Sequence, residues 1–216
     1  MDSALYFGAA RGVSALLSPV SLPLLGVVTI LAWGETAEIH IARKYHFWLL
    51  LLTTSVFTLV FPMLLISAAR LMGLIGSVHL HKPSERPFMY FAGIVLMLFF
   101  CRYLMQVPLL SPLFPASALG GAAVLACCMV FNFGFKISAH GASCGALFAL
   151  FFMAGHVLQS DFSLPMVFAA IIGGVVGSAR LLLGAHTPVQ YYVGWLAGLS
   201  AQILGMVGYY RFLVMG

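Results

Sequence analysis

Arg86, His140, Arg180 and His186 are residue types suited to handling a phosphate group, and Lys82, His79 and Lys136 lie close to them along the chain. A guanidinium grips phosphate oxygens through a planar two-pronged fork, and an ammonium adds a compact positive charge. An imidazole has a proton affinity near working pH. It can therefore attack phosphorus as a nucleophile or protonate a departing alkoxide. Together these groups support phosphoryl transfer that needs no metal and no organic cofactor. The expected ligand carries a phosphate group.

The elements that must bring these residues together are membrane helices. Of 216 residues, 62% are hydrophobic and only 7% charged, and the mean hydropathy of +1.08 excludes a soluble domain. Apolar runs of about twenty residues call for helices rather than the short alternating strands of a barrel. The expected fold is therefore all-α, a polytopic transmembrane helix bundle of six to seven spans in a single integral-membrane domain over 1–216. The acidic residue and missing basic flank before the first apolar stretch argue against a cleaved leader. The dispersed net charge of +5 offers no surface for nucleic acid. Cys101, Cys127, Cys128 and Cys144 lie inside apolar runs without CxxC spacing and read as small core residues.

Spans are expected near 13–33, 46–75, 88–108, 115–135, 142–159, 164–183 and 189–212, with a polar link over 34–45. The third and fourth can be partly re-entrant, which gives the lower count. Each hairpin returns the chain to the face it left. Residues 76–87, 134–141 and 177–190 thus share one membrane boundary, while Glu35, Glu38, Arg43, Lys44 and Asp161 lie on the other. In the last of the three stretches, GSARLLLGAHTPVQ, Gly184 suits the left-handed end of one helix. Thr187 suits the cap and Pro188 the first turn of the next. Lysine and arginine are too evenly divided between the faces to orient the chain.

Arg86-Pro87, then Ile137-Ser138-Ala139-His140, then Ala179-Arg180, five residues, His186, three residues and Gln190 resemble the three motifs of the type 2 phosphatidic acid phosphatase superfamily. Those motifs are lysine, six residues, Arg-Pro; Pro-Ser-Gly-His; and Ser-Arg, five residues, His, three residues, Asp. The resemblance covers about 70–216 and implies a membrane lipid phosphatase working through a phosphohistidine, with a phospholipid or an isoprenoid phosphate as its substrate and partner. It implies that His186 is the nucleophile, that His140 protonates the leaving group, and that Arg86, Arg180 and Ser138 bind phosphate. The departures are His79 at the lysine position, with Lys82 or Lys136 to replace its charge, Ala139, Ala179, and Gln190 at the aspartate position. An amide there can accept from imidazole but carries no charge, so turnover is expected to be slow; Glu85 is the one carboxylate near enough to compensate.

Plainer roles compete for the same residues. Thr187 and Gln190 also form a capping-box pair. Arg180 can serve a helix C-terminus or reach lipid headgroups. His81 and Lys82 fit a solvated loop, His156, Arg70 and Arg102 fit structural roles, and the glycines of 173–177 suit close helix packing. A non-catalytic protein that binds or transports phospholipid headgroups is the rival to the phosphatase. A metal site of His79, His81, His140 and His186 is a third, weaker expectation. The expected location is a bacterial inner (cytoplasmic) membrane.

Overall fold

The computed structural model describes residues 3–73 and 86–214. Among the described residues it is all helix, with no strand. The helices are α1 (Ser3–Leu16), α2 (Leu22–Trp33), α3 (Ala37–Tyr45), α4 (Phe47–Leu71), α5 (Arg86–Leu104), α6 (Leu113–Asn132), α7 (Ala139–Leu158), α8 (Ser163–Leu182) and α9 (Pro188–Tyr209). Helices α4 to α8 are each long and apolar enough to cross a membrane, and a sixth span results if the bent pair α2 and α3 is counted as one. The chain is a membrane protein built as a helical bundle.

The first expected span, 13–33, is not one helix. Pro19 has no N–H to give and disfavours helical backbone in the residue before it. Ser21 Oγ donates to Leu16 O at 2.6 Å and to Ser18 O at 3.0 Å, closing a turn between α1 and α2. The polar link over 34–45 is also not a loop. It contains α3, bent by 117° from α2. An acidic first turn at Glu38 and a basic last turn at Arg43 and Lys44 complement the helix dipole. Ile39 and Ala42 bury the inner face. Arg43 ties α3 back to α2, donating from Nε to Leu31 O at 2.7 Å and from a terminal nitrogen to Gly34 O at 2.8 Å.

In α4 the 25 residues exceed what a bilayer requires, and a wider π turn interrupts the helix at Val56–Val60. Pro62 lies just beyond it, and its ring would clash with the carbonyl of Thr58 in an unbroken α-helix. The later spans fall within a few residues of their expected bounds. Arg86, placed in a loop by the sequence, is the first residue of α5. Helix α9, expected as the last span, has 22 residues but carries Gln190, Gln202 and three tyrosines and is not among the five helices that are both long and apolar enough to cross a membrane.

Helix α9 packs chiefly against α7 and α6. Glycines allow the close approach to α7: a Cβ on Gly145 would collide with the backbone carbonyl of Trp195, and one on Gly198 with that of Ala142. Helices α7 and α9 run in the same direction, so their N-termini lie side by side. Trp33 Nε1 donates to Asp161 O at 2.9 Å, which joins the end of α2 to the start of α8 at the opposite end of the bundle.

Candidate functional site

At the end of α8 the chain reverses through a paired hydrogen-bond turn. Gly184, at φ +61°, donates to Leu181 O at 2.9 Å, and Ala185 donates to Arg180 O at 3.1 Å. This closure holds Arg180 in the last helical turn and delivers His186 immediately ahead of α9. Thr187 then caps α9, its Oγ accepting from Gln190 N at 3.3 Å.

Gln190 performs both of the roles its position allows. Its Oε1 accepts the Thr187 backbone N–H at 3.2 Å, completing the capping box, and lies 3.3 Å from His186 Nδ1. A backbone N–H can only donate, so the capping box fixes which end of the amide faces it. The same oxygen therefore accepts from His186, which assigns the proton to Nδ1 and leaves the lone pair on Nε2. Helix start and imidazole tautomer are set by one atom.

The neighbouring loop is fastened to this one. Ser138 N donates to Gln190 O at 3.2 Å, and Lys136 Nζ donates to Ala185 O at 3.0 Å. Ser138 is fully buried and its Oγ caps α7 by accepting from Gly141 N at 3.2 Å. Its hydroxyl thus serves the helix, and the positive ends of α7 and α9 converge on one region. His140 follows in the first turn of α7.

His186 lies outside the membrane-spanning helices, just ahead of α9. Burial pushes its imidazole down to about 4; the hydrogen bond to Gln190 opposes this, and the positive charges of Arg180, Lys136 and Arg86 add to the depression. Those three cations are therefore within electrostatic reach of one ring, which is neutral at pH 7. The described carboxylates Glu35, Glu38 and Asp161 lie toward the other end of the bundle. A neutral imidazole, three cations and two helix N-termini thus gather at one end of the bundle.

The sequence did not point to Ser14. Near the end of α1, its Oγ accepts from a terminal nitrogen of Arg180 at 2.9 Å and its carbonyl oxygen accepts from His140 Nε2 at 3.1 Å. A serine in an Ala- and Gly-rich helix carries no motif, and the only signal available was its place before the Pro19 break. His79 and Lys82 lie outside the described residues, as do His81 and Glu85. Among the described residues no three metal-binding side chains gather, and His140 and His186 are engaged by a carbonyl and an amide. No family model, curated protein or solved structure matches the chain.

Proposed function

We propose that the protein hydrolyses a lipid phosphate or diphosphate at this site. The observation that carries the reading is His186, held with Nδ1–H on Gln190 and a free Nε2 lone pair among Arg86, Arg180 and Lys136. In the first step Nε2 attacks phosphorus and the bond to the lipid oxygen breaks. His140, neutral at rest, takes a proton from solvent on Nδ1 and passes it to the departing oxygen, leaving a lipid alcohol, or a lipid monophosphate from a diphosphate. In the second step a water molecule attacks the phosphohistidine, His140 takes its proton, and inorganic phosphate leaves with His186 restored. The cations and the N-termini of α7 and α9 hold the phosphoryl oxygens throughout. An isoprenoid carrier or a phosphatidyl lipid in a bacterial inner membrane is the substrate class this reading assigns.

Purified full-length protein is expected to release inorganic phosphate from lipid phosphates in the presence of chelator, and His186→Ala is expected to abolish the release. Equal release by the variant refutes the assignment. The uncharged Gln190 favours a second reading, a headgroup-binding or transporting protein without turnover. Lipid binding that persists in His186→Ala, with no phosphate release from either protein at any pH, selects that reading.

A further inference from the structure

We infer that Ser14 is a positioning residue of the anion site, a two-acceptor clamp on α1 that orients Arg180 and His140 together; this rests on the proposed phosphate-binding reading. The two acceptors come from one residue: the hydroxyl oxygen meets Arg180 at 2.9 Å and the carbonyl oxygen meets His140 Nε2 at 3.1 Å. Ser14 is 8% exposed although neighbouring Leu16 is 76% exposed, so α1 turns this serine inward at the junction of α7 and α8.

The clamp does specific chemical work on each partner. Arg180 donates to Ser14 from NH1, the terminal nitrogen on the side of Cδ. The opposite edge of the guanidinium, formed by Nε and the other terminal nitrogen, is thereby not used by Ser14. Nε is fully enclosed and has no partner. A buried charged donor left unmatched is costly, and an anion bound side-on across that edge satisfies it in the bidentate geometry arginine favours. On His140, a carbonyl can only accept, so Nε2 carries a proton and Nδ1 becomes the nitrogen that exchanges one with a substrate oxygen. Ser14 does for this second imidazole what Gln190 does for the first. It needs no contact with the ligand to do so.

Two readouts on the full-length, detergent-solubilised protein test the clamp. The first is binding of inorganic phosphate and of mixed micelles containing dioleoyl phosphatidic acid by wild type, Ser14→Ala and Ser14→Thr. Loss of the hydroxyl is expected to weaken binding of whichever probe the wild type takes by about tenfold, the scale of one hydrogen bond to a charged group. Ser14→Thr is expected to restore it. Unchanged or tighter binding in Ser14→Ala overturns the clamp, because a serine that merely blocks the site would give that result, and so does a threonine variant as weak as alanine. The micelle and free-phosphate arms separate a lipid headgroup from a soluble phosphate.

The second readout needs no ligand. The ring nitrogen resonances of His140 are expected to show the Nε2–H tautomer in wild type and in Ser14→Ala, which keeps the carbonyl. A Nδ1–H tautomer in wild type refutes the clamp. Failure of the wild type to bind either probe removes the phosphate reading, and the tautomer then decides the clamp by itself.

Discussion

Replacing Gln190 by Glu is the sharpest perturbation of this site. The side chain keeps its length, and glutamate is as good a partner as glutamine at the third helical position of a capping box, so the fold of α9 is preserved. Only a charge is added, at the atom that now lies 3.3 Å from His186 Nδ1. Opposite charges about 4 Å apart at an effective dielectric near 20 attract by roughly 4 kcal/mol, an upper figure for a ring that is partly open to solvent. Carboxylates at such range raise a cation's proton affinity by about 1 to 3 pKa units. The imidazole of His186, held at about 4 in the wild type, is therefore expected to titrate between about 5 and 7. The negative charge also suits the N-terminus of α9 and is expected to add about 0.3–1 kcal/mol of stability. In turnover, a carboxylate stabilises the imidazolium-like charge that develops as Nε2 bonds to phosphorus. Exchanging a carboxylate for an amide in a serine-protease triad costs about 10⁴ in rate, so the reverse exchange is expected to raise kcat by at least about tenfold. The added charge opposes anion binding, so KM rises too. An NMR titration of His186 with a parallel phosphate-release assay measures both effects. A His186 titration that stays near 4 refutes the tautomer argument, because it shows that Nδ1 does not face residue 190.

Two further outcomes follow from the same geometry. Because the attacking ring must be neutral and burial holds its proton affinity down, kcat/KM is expected not to fall through loss of this group as pH drops from 7 to 5, and to decline only as pH approaches about 4; a pH-rate profile checks this, and an acid limb centred near 6.5 contradicts it. Gly198→Val drives a side chain into the backbone of Ala142 and is expected to lower stability by more than about 2 kcal/mol, whereas Gly208→Ala, with open space around it, is expected to be neutral or to gain up to about 1 kcal/mol in a thermal unfolding comparison.

The parts of the fold legible in the sequence were those set by local pattern. Gly184, Thr187 and Pro188 each favour one backbone state, and the structure places them in those states at the α8–α9 turn. Apolar runs fixed α4 to α8 because in lipid a long run has few alternatives to a helix. The competition over Gln190, cap or imidazole partner, dissolved because a carbonyl oxygen has two lone pairs and uses both. What escaped were features set by tertiary contact or by short amphipathic patterns inside polar sequence. Helix α3 has the charges of a helix at its two ends, yet nine residues between two apolar runs read as a link. Ser14 gains its role only when α1 folds against α8, 166 positions away from its arginine, a distance that no motif spans. Ser138, expected to contact a ligand, also completes the α7 cap, since a hydroxyl two residues before His140 is where a helix start needs an acceptor.

The glycine contacts between α7 and α9 have a mechanical corollary. With main chain seated against main chain at Gly145 and Gly198, axial sliding of either helix would drive carbonyls into one another, so the pair behaves as a single strut. His140 and His186 ride on the same end of that strut, and their separation is insulated from bilayer thickness and lateral pressure.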